Sequence, residues 1–288
     1  MANLITLTAK DGSQVQFYDE IKASGGVKDV YFSPDKSYVV AFYRKPICAN
    51  DKQRIEDIVN VHRNRIFGAD ATGKYWEQFF AWPSKIVEWK GLTGIVMPFY
   101  DKKFFFSGVD PNWAFMKDGQ EKNGKWFASA KLFNRFVPDN QKGTFLKRLH
   151  MCLKIARAMR RLHAAGLAHS DLSYNNVLVD PLTGNACIID CDGLVVPQKF
   201  PPEVVGTPGF IAPEVMATRT LPVGDPLKEL PKITTDRHAL SVLIYTFLLQ
   251  RHSLDGGKVW DINDSQRDDD LRYGEKAIFI EHPTDTVN

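Results

Sequence analysis

No stretch of this chain approaches the roughly 18 consecutive apolar residues that a membrane-spanning helix needs, so no such span is encoded. The opening MANLITLTAKDG lacks the basic start and long apolar run of a secretory signal. Cysteine is scarce. Cys48, Cys152, Cys187 and Cys191 are scattered without a Cys-x-x-Cys pair, which encodes neither a zinc site nor a disulfide framework and fits reduced, cytosolic thiols. Neither sign of charge dominates: Lys+Arg 37 against Asp+Glu 34 leaves +3, too balanced for a nucleic-acid binder held mainly by phosphate contacts. Internal repeats and low-complexity linkers are also missing. What is present is 44% apolar and 25% charged, a globular composition that excludes disordered and collagen-like classes. At 288 residues the chain suits one large bilobal domain or two small ones. The expectation is a soluble cytoplasmic protein without membrane or nucleic-acid partners.

The first hundred residues read as strands with one helix. Leu4–Thr8 and Gln14–Phe17 flank the turn Lys10-Asp11-Gly12. Val30–Phe32 and Tyr38–Arg44 flank Ser33-Pro34-Asp35-Lys36. Asn50 or Asp51 suits an N-cap, followed by Ile55, Ile58, Val59, His62 and Ile66 at helical spacing, with Gly68 closing. Ser84–Trp89 and Gly94–Phe99 are further strands, joined by Lys90-Gly91. The remainder is mainly helical. Thr144–Ala164 places Leu146, Leu149, Leu153, Ala156, Met159 and Leu162 on one stripe, with Gly166 beyond it, and a second helix is expected over Asp236–Leu249. Between the halves, residues 101–140 form an irregular stretch rich in Phe and Trp. Its rings either pack back on the helical half or offer a docking surface.

Chemistry concentrates after the long helix, at His169-Ser170-Asp171-Leu172-Ser173-Tyr174-Asn175-Asn176, which precedes the apolar run Val177-Leu178-Val179. A His, a carboxylate two residues on and an amide five residues beyond it resemble the protein-kinase catalytic loop H-x-D-L-x-x-x-N. Phosphoryl transfer asks for little covalent help: a carboxylate orients the attacking hydroxyl and oxygen ligands hold Mg²⁺ and the nucleotide in line. Asp171 takes the first task and Asn176 the second. Ile188-Ile189-Asp190-Cys191-Asp192-Gly193 then brings a carboxylate to the end of an apolar run, where the family's D-F-G belongs. Asp190 is the expected metal ligand, Cys191 a packing residue, and Asp192 either an auxiliary ligand or a solvated loop residue. Gly206-Thr207-Pro208-Gly209-Phe210-Ile211-Ala212-Pro213-Glu214 resembles the end of an activation segment, G-T-P-x-Y/F-x-A-P-E. Thr235-Asp236-Arg237-His238-Ala239-Leu240 resembles the buried helix whose Asp ties down the catalytic loop.

The amino-terminal half departs from that pattern. Ala23-Ser24-Gly25-Gly26-Val27-Lys28-Asp29-Val30-Tyr31 stands where G-x-G-x-x-G-x-V belongs, with Lys28 at the third glycine. Against V-A-I-K, Ala41 takes the alanine over the adenine and Tyr43 the lysine's place. With-no-lysine kinases show the same trade, so Lys28 is expected to reach the phosphates; Arg44, Lys45 or a merely solvated Lys28 are the alternatives. Gly25, Gly26, Val30 and Ala41 complete the nucleotide site. Glu56 or Asp57 is the helix carboxylate that would pair with the cation, and Met97-Pro98-Phe99-Tyr100 resembles the gatekeeper and hinge.

The whole pattern resembles bacterial eukaryotic-like kinases encoded with tellurium-resistance clusters. That resemblance implies an α+β bilobal kinase-like fold, with an N-lobe over residues 1–100 and a C-lobe over 101–288. It implies ATP and Mg²⁺ as cofactors, transfer to Ser/Thr of a protein substrate, and von Willebrand A-type and PP2C-type phosphatase partners. The stretch after Leu249 is shorter than a complete kinase C-lobe needs, which points to a chain cut short. Ser170 replaces the arginine before the base and Ser173 the lysine after it, which keeps open an alternative: a pseudokinase scaffold that binds nucleotide or partners without transfer. Without that arginine, and with no Ser, Thr or Tyr from Cys191 to Val205, the loop is not expected to be switched by phosphorylation. Leu194, Val195, Val196, Pro197, Phe200, Pro201 and Pro202 would hold it by packing.

Overall fold

The structure, a computed structural model, describes residues 2–68, 72–113, 115–196, 199–200, 206–222 and 224–285. The chain divides into two compact units, one formed by the residues up to Asp101 together with Asp190–Asp192, the other by Lys102–Ile189 and the residues from Gly193 on.

In the first unit β1 (Leu4–Thr8) and β2 (Gln14–Tyr18) form an antiparallel hairpin, closed by Gly12 at φ 84°. β3 (Ala23–Ser24), β4 (Lys28–Phe32), β5 (Tyr38–Tyr43), β6 (Lys85–Trp89) and β7 (Leu92–Pro98) make a second antiparallel sheet in the order β3-β4-β5-β7-β6. Directly paired residues share a face. One face carries Tyr31, Val40 and Val96 into a core with Val15 and Phe17 of the hairpin, where Phe17 meets Tyr31, Phe42 and Trp89 at centroid distances of 5.5, 5.4 and 5.2 Å. Gly94 pairs with Phe42, and a Cβ there would lie 2.5 Å from the phenyl ring, so the close approach requires glycine.

The expected single helix is interrupted. α1 (Ala49–Asp57) begins after Cys48, earlier than the Asn50 or Asp51 cap, and passes through a π-helical turn (Ile58–His62) into α2 (Arg63–Phe67). The carbonyl of Ile58 takes both the Arg63 amide and, at 3.0 Å, the Trp82 indole, so an inserted side chain accounts for the wider turn. Gly68 closes the helix at φ 67° as expected, and a short α3 (Thr72–Glu77) follows that periodicity did not reveal.

The second unit contains α4 (Ala130–Phe136), α5 (Phe145–Ala164), the hairpin β8 (Val177–Asp180) and β9 (Asn185–Ile188), α6 (Pro213–Ala217), α7 (Ile233–Leu249) and α8 (Ser265–Asp270). α5 is capped by Thr144, whose hydroxyl accepts from the Lys147 amide, and packs on α7 and β9. Its buried stripe is Met151, Cys152, Ile155, Ala158, Met159 and Leu162. Leu146, Leu149 and Leu153 of the expected stripe lie about half a turn away and stay 58%, 44% and 56% exposed. The β8–β9 turn seats against the side of α5 at Lys147 and His150: a Cβ on Gly184 would lie 2.9 Å from that of His150. Of the aromatic stretch, Phe104, Phe106 and Phe127 are buried. Phe115 packs 4.7 Å from Phe136, and Trp113 donates to the Phe136 carbonyl at 3.0 Å, yet both Trp113 and Phe115 remain at the surface.

Candidate active site

The other face of the larger sheet is built from paired rungs. Lys28 stands opposite Tyr43; Val30 pairs with Ala41 and Ala41 with Ile95; Phe32 pairs with Val39 and Val39 with Met97. A lysine therefore sits at one end of an apolar strip, and Met97, buried before the strand ends at Pro98, sits at the other. Phe99 follows with its ring edge-on to Phe32 at 5.1 Å. Gly25 and Gly26 form the tight turn before β4, where the Gly25 amide donates to the Lys28 carbonyl at 2.9 Å. Arg44 is committed to that turn, donating to the Gly25 carbonyl at 2.6 Å and to Asp29 at 2.9 Å.

Lys28 does not pair with Glu56 or Asp57. Glu56 accepts from Lys10 of the β1–β2 turn and Asp57 from Gln53, so the helix carboxylates serve other partners. The lysine ammonium lies instead 2.7 and 2.6 Å from the two oxygens of Asp192 and 3.0 Å from Asp190. The Tyr43 hydroxyl donates to the same Asp192 carboxylate at 2.5 Å. Asp192 is 2% exposed, which corrects the solvated-loop alternative. Burial opposes its ionisation most strongly, but the Lys28 charge and the hydrogen bonds from Lys28 and Tyr43 together outweigh it and hold the carboxyl below the ordinary range. Burial likewise pushes the Lys28 ammonium down, yet Asp192 and Asp190 prevail and hold it above its usual value. Burial and Asp192 together raise the Tyr43 phenol, keeping it a neutral donor. Asp190 is half exposed and holds φ 60°, a left-handed backbone uncommon outside glycine and often retained at functional turns.

In the second unit the carboxylate of Asp171 is fixed from two sides. Thr207 donates to Oδ1 at 2.7 Å, and the Asn176 amide donates to Oδ2 at 2.9 Å and to the Asp171 carbonyl at 2.7 Å. This leaves the Asn176 amide oxygen without a hydrogen bond among the described residues. The Asn176 carbonyl accepts from Ile189, the residue before Asp190. Behind the loop, buried Asp236 accepts from the amides of His169 at 2.7 Å and Ser170 at 3.1 Å and bonds His163 at 3.0 Å. Ser170 holds φ 64°. Ser173, fully buried, accepts from the Asn175 amide and donates to the Thr207 hydroxyl oxygen, so no side chain there reaches toward Asp171 as a lysine would. Pro197, Pro201 and Pro202 lie outside the described residues; Leu194, Val195 and Phe200 are buried.

The donor sets suit the cofactors that the sequence implies. The apolar strip ending at a lysine fits a base and its phosphates. Asp190, half exposed, offers the oxygen donor suited to Mg²⁺, an ion that keeps waters and takes phosphate oxygens beside one or two carboxylates.

A family model described as the protein kinase domain matches residues 128–280, more than half of the chain. The chain belongs to the protein kinase domain family. Among curated proteins this kinase domain is 41% identical over 78 residues to a dual specificity testis-specific protein kinase 1 of Rattus norvegicus, covering 24% of this chain and 12% of that protein. It is 34% identical over 128 residues to a serine/threonine-protein kinase PLK4 of Xenopus tropicalis, covering 42% of this chain and 12% of that one. The matches thus span only a small part of those relatives' own length. Two solved structures share the kinase fold: a Toxoplasma gondii specific rhoptry antigen kinase domain (TM-score 0.57, 16% identity, 98% of this chain and 84% of that one) and a rhoptry kinase from the same organism (0.55, 16%, 98% and 82%). The expected α+β kinase-like fold is therefore correct. Sequence reasoning missed the tie between Asp192, Lys28 and Tyr43. The signal available was the second carboxylate of Asp190-Cys191-Asp192, standing where the family motif has glycine.

Proposed function

We propose that this kinase domain transfers the γ-phosphate of ATP, with Mg²⁺, to a Ser or Thr hydroxyl of a protein substrate. The observation that carries the reading is the fixed Asp171 carboxylate, held by Thr207 and Asn176 on a loop anchored by Asp236. Asp171 orients the substrate hydroxyl and accepts its proton as the oxygen attacks phosphorus and the bond to the leaving diphosphate breaks. Asn176 and Asp190 offer oxygens to the metal, which when bound neutralises phosphate charge. Lys28, in place of the missing strand lysine, contacts the phosphates, and Val30, Ala41 and Met97 flank the base.

Asp171→Ala in an assay with labelled ATP and Mg²⁺ tests this. Transfer to Ser or Thr by the wild type and a loss on the order of 10²–10⁴-fold in the variant are expected. If both bind nucleotide and neither transfers label above background, the scaffold reading, favoured by the inward-facing Ser173, replaces it. From the resemblance we carry over a bacterial cytoplasmic setting, the link to tellurium resistance and the von Willebrand A-type and PP2C-type partners. Co-purification of tagged kinase domain with those two proteins is the corresponding test.

A further inference from the structure

Four observations converge on one residue. Asp192 stands where the family's metal-binding motif has glycine, a position with no side chain to offer. Both of its oxygens lie within 2.7 Å of the Lys28 ammonium, and it is almost wholly buried. Tyr43, which occupies the missing lysine's place, is the register partner of Lys28 and donates to the same carboxylate. The helix carboxylates are engaged elsewhere, Glu56 by Lys10 and Asp57 by Gln53.

We propose that Asp192 is the positioning residue for Lys28, doing within Asp190–Asp192 what a helix carboxylate does in kinases that keep the strand lysine. This rests on the reading of Lys28 as the phosphate-binding cation. A buried carboxylate is costly unless paired, so Asp192 fixes the ammonium in one place, and Tyr43 fixes Asp192. Asp190 differs: half exposed, it contacts the ammonium through one oxygen at 3.0 Å. It is free to exchange that contact for a metal while Asp192 keeps the lysine. A three-residue turn then sets both the cation and the metal ligand. The position of α1 does not control the lysine, and Glu56 instead ties α1 to the β1–β2 turn.

The test is a double-mutant cycle read by calorimetric affinity for a non-hydrolysable ATP analogue at saturating Mg²⁺. Lys28→Met and Asp192→Asn should each weaken binding about tenfold, the scale of one charge-assisted contact. The double variant should bind no worse than Lys28→Met alone, because Asp192 acts through Lys28. Tyr43→Phe should cost about threefold, the scale of a neutral hydrogen bond, and nothing in the Lys28→Met background. It decides the matter if Asp192→Asn fails to give a cooperative melt. Additive losses in the cycle overturn the proposal. So does an Asp192→Asn protein that needs more Mg²⁺ but binds normally once saturated, since that marks a metal ligand. Glu56→Gln weakening binding as much as Asp192→Asn also overturns it. If Lys28→Met binds as the wild type does, the phosphate-lysine reading itself has failed and the inference falls with it. An effect of Lys28→Met with an additive double variant removes the inference alone.

Discussion

Two polar clusters, one in each unit, solve the burial of carboxylates in opposite ways. Around Asp171 and Asp236 the partners are backbone amides, a hydroxyl, an amide side chain and an imidazole. Such bonds fix a loop in place and do not depend on a ligand. Around Asp190 and Asp192 two carboxylates share one ammonium, with a phenol as a further side-chain donor. Of the two, only the contact to half-exposed Asp190 is open to competition from an arriving anion, because Asp192 is buried and holds the ammonium with both oxygens. The carboxylates of the second unit are thus held by neutral donors and one imidazole, whereas Asp190 and Asp192 are held by ion pairs. The departures from the family pattern follow this division: the strand lysine and loop glycines are rewritten, and the catalytic loop keeps its Asp and Asn.

The sharpest way to break the contrast is to remove one carboxylate from each cluster. Asp171→Ala should lower transfer on the order of 10²–10⁴-fold, the range for a general base, while nucleotide affinity stays near that of the wild type. Asp190→Ala should abolish Mg²⁺-dependent nucleotide binding and transfer with it. Calorimetry with and without Mg²⁺, beside a labelled-phosphate assay, separates the two. Equal affinity of wild type and Asp190→Ala in Mg²⁺ would remove the metal assignment.

The second effect is on stability. Asp236→Ala leaves the buried amides of His169 and Ser170 without acceptors, each worth about 1–3 kcal/mol, so a loss of about 3 kcal/mol in urea unfolding is expected. Hydrogen exchange at those two amides should rise with it. A variant that melts as the wild type does would show that the loop is held by packing rather than by Asp236.

Much of this arrangement was legible in the residues because local chemistry dictates it. Lys90-Gly91 turns a hairpin with both residues at positive φ, and Asp236 meets the catalytic loop as its motif implies. What could not be read depended on partners distant in sequence. Leucines at Leu146, Leu149 and Leu153 mimic a core face of α5, and packing on α7 and β9 decides that the side carrying Met151, Ile155 and Leu162 is covered. The π-helical turn needs Trp82, 24 residues on, to claim a carbonyl. Position on the helix offers Glu56 or Asp57 to Lys28, but Lys10 of the β1–β2 turn engages the first and Gln53 the second. Residue type marks what a side chain can do; only packing decides which of several partners it meets.

The smallest expected effect concerns acid, and it should come from the unit that holds the catalytic loop. His252 follows α7, and burial pushes its imidazole below the ordinary range. Its Nε2–H donates to the Gly209 carbonyl at 2.9 Å, while Nδ1 accepts from the Leu254 amide at 3.1 Å, so the neutral ring is satisfied on both sides and protonation would set two donors face to face. Phe210 and Tyr273 pack on the ring at 5.9 and 5.2 Å. A histidine whose native pKa is depressed binds its proton more readily when unfolded. Its contribution is therefore complete above the unfolded value of about 6.5 and is lost as pH falls through that value toward the native one, at no more than about 1.4 kcal/mol per pH unit. His238, also lowered by burial, adds a loss of the same sign. Urea unfolding at pH 7.5 and 5.5 should show the wild type losing on the order of 1 kcal/mol. His252→Gln should start less stable and lose less on acidification. If the variant is as acid-sensitive as the wild type, His252 is not the group that protonates, and the Gly209 contact owes nothing to its neutral form.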